Sequence, residues 1–378
     1  MENGPVSVLI APLDWGLGHA TRCIPIIKEL IHQGARVIVA ANNVQKTLLK
    51  QEFPSLEFLE VPGYKIEYKW GIFLKWALFF NIPGFLRHIK KENKWLEEIV
   101  LNLKIDAVIS DNRYGLYNSK CLCVFITHQL YIQYGWGSHK RVDSWVNRKI
   151  MKWHYTFISK FTSCWVPDQE RDFPVAGLLS HPPVLPAVPV KYIGILSRFS
   201  YSGKKTEKNT LLILFSGPEP QRTLFENILF GQLAEFEMKT VVVRGLPSTD
   251  PPIPFTREGI KIFNHLPSHE IEELLNRSEL IIARSGYSTI MDLLVLKRNA
   301  ILVPTPGQTE QEYLGQYLHE KKWMYSVRQK AFDLKKSIIE FRKTELLSPG
   351  IPDTKLQIVV ENFLREIADK NINHAEEF

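Results

Sequence analysis

Leu280-Ile281-Ile282-Ala283-Arg284-Ser285-Gly286-Tyr287-Ser288-Thr289-Ile290-Met291-Asp292 is the stretch whose reading decides the fold. Its first four residues form a short apolar run of the kind a buried parallel strand needs. Gly286 offers backbone freedom for a turn. Ser285, Ser288 or Thr289 can cap a helix that follows. Ser288 and Asp292 lie four apart and share one helix face. The first turn of such a helix, with free N–H groups and the positive dipole end, suits a phosphate. A carboxylate one turn further in can accept both hydroxyls of a ribose. An ordinary strand–turn–helix connection with a surface aspartate has the same pattern, so the stretch speaks for an α/β architecture before it speaks for a ligand.

Working outward, the same grammar repeats. Leu211 to Phe215, Thr240 to Val243, Ile260 to Phe263 and Ala300 to Val303 read as further strands with helical segments between most of them. Ser216-Gly217-Pro218 is a turn after the first of these. Pro304 to Glu312 follows the last and is polar, so Gln308, Gln311 and Glu312 can bind sugar hydroxyls. Leu356 to Ile367 reads as a final amphipathic helix, and the tail from Ala368 is expected to fray.

Upstream, Val6 to Ala11 is a strand that leads into Gly16-Leu17-Gly18-His19. Ile24, Ile27 and Ile31 then recur at helical spacing, with Gly34 as a stop and Val37 to Ala40 as the next strand. Two features count against a nicotinamide-dinucleotide site. The turn lacks the third glycine, and the second strand ends in Ala41-Asn42-Asn43 with no acid for a ribose. Ile105 to Ser110 ends in Asp111, and Cys123 to Thr127 ends in His128. Ligands of open parallel sheets bind outside the carboxyl ends of the strands, so His19, Asp111 and His128 should share one crevice. A histidine at a helix start can cap it, or act as a base. The proline-rich run 173–189, a strand from Val190 to Gly194 and a charged linker from Arg198 to Asn209 close this half. The expected division is residues 1–197, an acceptor-binding Rossmann-like domain; 198–367, a nucleotide-sugar-binding one; and a flexible tail, 368–378. Together they make two doubly wound domains facing a cleft.

The 378 residues suffice for two domains of ordinary size. The hydrophobic fraction of 45% and charged fraction of 23% are those of a soluble globular protein. A net charge of +7 favours anionic partners such as nucleotide phosphates or acidic headgroups. Four cysteines without a Cys-x-x-Cys pair read as reduced core residues of a cytoplasmic protein. No signal peptide is expected. The aromatic run in 70–91, followed by Arg87, His88, Lys90 and Lys91, is too short and too interrupted to span a bilayer. It suits a helix in an anionic membrane interface, on the inner face, ahead of the alternative of a helix packed in the core. Residues 130–160 interleave aromatics and bases without a nucleic-acid motif, so no nucleic-acid partner is expected.

These residues resemble the family-28-type, MurG-like glycosyltransferases of the GT-B fold. The resemblance is carried by Arg284 to Asp292, by Pro304 to Tyr313 with Gln311-Glu312, by Gly16-Leu17-Gly18-His19 and by Arg198 after Gly194. It implies that Arg284, Ser285, Gly286, Tyr287, Ser288 and Thr289 line the nucleotide diphosphate, that Asp292 holds the ribose, and that Gln308, Gln311 and Glu312 touch the donor sugar. It further implies that Arg198, Ser216 and Gly217 lie near the diphosphate, and that Gly16 and Gly18 form the acceptor loop. The turn Phe215-Ser216-Gly217-Pro218-Glu219-Pro220 departs from the family's Gly-Gly-Ser-x-Gly, because its two prolines remove N–H donors. Glu312 stands in place of a second glutamine. The motif Gly16-x-Gly18-His19-x-x-Arg22 is as close to UDP-sugar hydrolases of pseudaminic acid synthesis.

The expected function is inverting transfer of a sugar from a nucleoside diphosphate, UDP first, to an acceptor hydroxyl that could be lipid-linked, in building a cell-envelope glycan. His19 or Asp111, with His128 beside them, would handle the acceptor proton. No cofactor is expected beyond the co-substrate. No metal is expected either, since the chain lacks Asp-x-Asp and any His/Cys cluster with ligand spacing. UDP-sugar hydrolysis and a non-catalytic nucleotide-sugar-binding subunit are the alternatives.

Overall fold

The computed structural model describes residues 4–63, 82–132, 140–171, 173–203, 205–246, 252–253, 257–347 and 354–376. The chain divides into two compact units. One comprises the described residues up to Leu196 together with those after Pro352, and the other the described residues of Ser197–Pro352. The expected division gave the last helix to the second half. It belongs to the first unit instead.

The first unit is built on strands β1 (Ser7–Pro12), β2 (Arg36–Ala40), β3 (Glu57–Leu59), β4 (Ala107–Asp111), β5 (Leu122–Ile126), β6 (Ser163–Val166) and β7 (Val190–Tyr192). Their helices are α1 (Leu17–His32), α2 (Asn43–Glu52), α3 (Ile82–Leu103) and α4 (Lys140–Ile158). The sheet order is β3-β2-β1-β4-β5-β6-β7, every described pair being parallel. All residues of β1, β4 and β5 are buried. That is why they read as continuous Val/Ile/Leu runs, since a parallel sheet is covered on both faces.

The second unit repeats the winding with β8 (Glu207–Leu214), β9 (Lys239–Val243), β10 (Ile260–Phe263), β11 (Ser278–Ala283), β12 (Ile301–Leu302) and β13 (Tyr325–Ser326). Its helices are α5 (Gln221–Leu233), α6 (Ser268–Arg277), α7 (Tyr287–Val295), α8 (Thr309–Glu320) and α9 (Leu334–Lys343). The order is β10-β9-β8-β11-β12-β13, again parallel. In each sheet the order reverses once, between β1 and β4 and between β8 and β11. Those are the points where a doubly wound sheet opens a crevice at its carboxyl edge.

The last helix, α10 (Leu356–Glu376), is longer than expected and takes in most of the tail thought to fray. Val360, Phe363 and Ile367 are buried, and the Phe363 ring meets Trp165 edge-on at 5.2 Å. Asn371 Nδ2 donates to Asp106 Oδ1 at 2.9 Å. An apolar stripe at helical spacing announces burial, but carries no information on which of two cores receives it.

Residues 64–81, which hold most of the aromatic run, lie outside the described residues. Its continuation is α3, where Phe85 and Ile89 are buried and Phe85 packs on Tyr114, Trp153 and Phe157. His88 pairs with Glu92 at 3.3 Å. This part is a core-packing helix. No helix among the described residues is long and apolar enough to cross a membrane. The four cysteines are free and buried.

Candidate active site

At the reversal point of the first sheet, β1 ends and the chain turns through Leu13 to Gly16. Gly16 has φ 96°, which favours glycine. The buried Gln45 of α2 donates its carboxamide to the carbonyls of Leu13 and Gly16, the latter at 2.7 Å. Gly18 lies in the first turn of α1, and its carbonyl accepts from Thr21 Oγ1 at 3.0 Å. From the opposite side Arg113, fully enclosed, donates to Pro12 O at 2.8 Å and to Glu92 Oε1 at 2.7 Å. The turn is thus fixed from both flanks.

His19 is the third residue of α1, three past Gly16, and Arg22 follows at i+3 on the same face. Asp111 is the last residue of β4, and His128 stands two residues beyond β5. The structure brings all four together. His19 Nδ1 lies 3.1 and 3.2 Å from the Asp111 oxygens. Arg22 Nε donates to Asp111 Oδ2 at 2.8 Å, and its Nη2 donates to Oδ1. Arg22 Nη1 donates to His128 Nδ1 at 2.7 Å. Cys23 Sγ adds a weak donor to Asp111 at 3.8 Å.

Burial by itself would raise the Asp111 carboxyl. The Arg22 charge and the His19 contact outweigh it and hold the group well below the usual carboxylate range. Burial is also the main reason that the His19 pKa lies below its ordinary value. Asp111 pulls upward, while Arg22 and His128 add to the lowering. An ionised carboxylate only accepts hydrogen bonds. His19 Nδ1 therefore meets an acceptor in Asp111 and a donor in Arg22 Nη2, 2.9 Å away. His19 is the partly open member, its side chain 17% exposed against 0% for Asp111. The arrangement is a neutral imidazole oriented by a buried carboxylate, which is the constitution of a general base.

The second unit places its expected residues in two ways. Asp292 lies on the buried face of α7. Ser197 Oγ donates to its Oδ1 at 2.6 Å, and Arg198 Nε lies 3.9 Å from Oδ2. Burial pushes the Asp292 carboxyl up to about 6, against the pull of Arg198 and Ser197. Arg198 also donates to Ser268 Oγ at 2.9 Å. Tyr287, Ser288 and Thr289 form the first turn of α7. Gly286 is the N-cap residue, with φ −72° and ψ 139°. One expectation changes here: Gly286 adopts an extended conformation open to any residue.

Arg284 is displaced from its expected role. It is fully buried, donates to Val303 O at 3.1 Å, Gln329 Oε1 at 2.8 Å and Gln221 O at 2.8 Å, and lies over the Phe225 ring at 4.4 Å. Its guanidinium ties β11, β12 and α5 together, where a diphosphate contact was expected. Ser285 Oγ likewise donates to Gln311 O at 2.8 Å. Gln311 donates to Gln308 Oε1 at 2.7 Å and accepts from Thr305 N at 3.0 Å. Glu312 accepts from Gly307 N at 3.0 Å. These side chains brace the loops after β11 and β12. Ser216 and Gly217 occupy the turn between β8 and α5, where Gly217 has φ 101°. Arg22 entered the sequence reading only as a letter of a motif, although its i+3 spacing from His19 was the available signal. Ser197 and Gln45 carried none.

Among the described residues no group of three His, Cys, Asp or Glu side chains could hold a metal ion.

Residues 251–350 match the model of the glycosyltransferase family 28 C-terminal domain. The chain is similar to an uncharacterized glycosyltransferase of Methanosarcina acetivorans, 24% identical over 324 residues that cover 81% of this chain and 82% of that protein. Its fold is that of solved GT-B glycosyltransferases. MurG of Acinetobacter baumannii superposes with a TM-score of 0.55 at 14% identity over 97% of this chain and 99% of that one. VinC, in complex with DTDP, superposes with a TM-score of 0.55 at 11% identity over 96% and 95%. The expected family-28-type, MurG-like resemblance and the GT-B fold both hold.

Proposed function

We propose that this GT-B glycosyltransferase moves a sugar from a nucleoside diphosphate, UDP first, to an acceptor hydroxyl with inversion and without a metal. The observation that carries the reading is the His19–Asp111 pair at the carboxyl edge of the first sheet. Nε2 of His19 takes the proton of the attacking hydroxyl while Asp111 steadies the imidazolium that forms. Arg22 keeps Asp111 ionised, so the proton stays on the histidine. A single displacement driven by such a base inverts the anomeric carbon.

In the second unit, Asp292 accepts hydrogen bonds from the ribose hydroxyls and Arg198 lies beside it. The start of α7, the Ser216-Gly217 turn and the net positive charge favour the leaving diphosphate. VinC's complex with DTDP supports a nucleotide diphosphate as ligand of this fold. Gln308, Gln311 and Glu312 act by shaping the loop that faces the sugar. An acceptor carried on a lipid at the cytoplasmic membrane surface suits the basic side chains of α3.

The test is release of UDP from a panel of UDP-sugars by the purified chain, with and without membrane lipid extract, in the presence of EDTA. Release that requires the extract supports transfer to a lipid acceptor. Release in buffer with an equal amount of free sugar would make the enzyme a hydrolase. No release from any donor would overturn the reading.

A further inference from the structure

Thr305 sits three residues beyond β12, in the loop at the carboxyl end of that strand. Its backbone is fully engaged: N–H donates to Gln311 Oε1 at 3.0 Å, and the carbonyl accepts from Gln308 N at 3.1 Å. The side chain is not. Thr305 is 1% exposed, yet its hydroxyl has no hydrogen-bond partner. A buried hydroxyl without a partner is costly and rare, and points to a group that completes it.

The hydroxyl faces the turn after β8. A Cβ built on Gly217 would lie 3.4 Å from Thr305 Oγ1, and Gly217 has φ 101°. Strands β8 and β12 flank β11 on either side. Gly217 and Thr305 therefore meet over the end of β11, beside the reversal point of the sheet, where doubly wound folds bind ligands. Two of the six residues Phe215–Pro220 are prolines that cannot donate. Pro218 and Pro220 leave this turn short of N–H donors, and the Thr305 hydroxyl is a side-chain donor beside it.

We propose that the Thr305 hydroxyl donates to a phosphate oxygen of the bound nucleoside diphosphate, replacing N–H donors that Pro218 and Pro220 remove. This rests on the donor-site reading above. Admitting the phosphate requires the Gly217 turn to shift, and Gly217, at φ 101°, has the backbone freedom for it.

The experiment is calorimetric titration of wild type, Thr305→Val and Thr305→Ser with UDP and with UMP, beside melting curves of the free proteins. Valine keeps the shape and removes the hydroxyl. The expected result is a 10- to 100-fold loss of UDP affinity in Thr305→Val, about the worth of a hydrogen bond to a charged group. Thr305→Ser should stay within about threefold of wild type, because it keeps the donor. UMP should be affected far less than UDP, and the melting temperature of free Thr305→Val should be unchanged or higher. Unchanged UDP affinity in Thr305→Val, or equal losses for UDP and UMP, would overturn the proposal while leaving the donor site standing. If Thr305→Val does not fold, Thr305→Ala takes its place with the same expectations for UDP and UMP. Failure of wild type to bind UDP, GDP, ADP or dTDP would overturn the donor-site reading and this contact with it.

Discussion

Arg22 grips Asp111 from two nitrogens, Nε to Oδ2 at 2.8 Å and Nη2 to Oδ1, with both residues buried. Breaking one side of such a pair strands the other charge in the core, at a cost of about 3–5 kcal/mol. Arg22→Met should therefore lower the unfolding free energy by that amount in urea titrations, even though methionine fills similar space. Because the pair holds the Asp111 pKa low, its stabilisation is fully present above the unfolded value of about 4 and is lost as pH falls below it. Asp111→Asn should show a shallower acid loss than wild type. An equally steep one would take the pair out of the pH dependence.

His19 gives a prediction about rate. Its pKa lies below 6.5, chiefly through burial. The imidazole is thus already neutral at pH 7, and the acid limb of kcat/KM should fall below pH 6.5. His19→Ala should lower turnover by about 10²–10⁴-fold, the usual contribution of a positioned base. UDP affinity should stay near wild type, since His19 belongs to the other sheet. Full activity of the variant would remove His19 from the chemistry.

The two sheets were legible because each buried strand is a short apolar run followed by a turn. Leu280–Ala283 and Val6–Ala11 needed no tertiary information. The grouping of His19, Asp111 and His128 was legible for the same reason, as carboxyl-edge positions of neighbouring parallel strands. What side chains do once there was not legible. Arg284 has the composition of an anion ligand, but the carbonyls of Gln221 and Val303 claim it. Those partners lie 63 and 19 residues away. The short strands Glu57–Leu59, Ser163–Val166 and Tyr325–Ser326 escaped notice because two to four residues carry no period. The allegiance of α10 was hidden because an apolar stripe fits any core.

Asp292 links pH to donor binding. Burial raises its pKa to about 6, so the folded state holds a proton that the unfolded chain releases near pH 4. Ionisation therefore opposes folding: stability should fall as pH rises from about 4 to 6. Nucleotide binding should show the reverse trend, because only the carboxylate can accept from both ribose hydroxyls. UDP affinity should thus rise through pH 6 and level off above it. Asp292→Asn should melt at the same temperature or higher at pH 7, bind UDP about 10- to 100-fold more weakly, and lose the pH dependence. Calorimetry across pH 5–8 reads all three, and unchanged UDP affinity would sink the ribose assignment.

Arg284 separates a structural arginine from a ligand. The desolvated guanidinium, lowered to about 10 by burial, is held by the carbonyls of Val303 and Gln221, by Gln329 and by the face of Phe225. Arg284→Ala leaves those acceptors buried and opens a cavity over the ring, so it should destabilise the protein by about 2–5 kcal/mol. Lysine keeps the charge but not the planar fork that reaches three acceptors at once, so Arg284→Lys should recover little of the loss. The decisive comparison is UDP affinity in the folded fraction of Arg284→Lys, measured at low temperature. If Arg284 acts only by tying β11, β12 and α5 together, that affinity stays within about threefold of wild type while the denaturation midpoint drops. A large loss of affinity without a loss of stability would return Arg284 to the diphosphate.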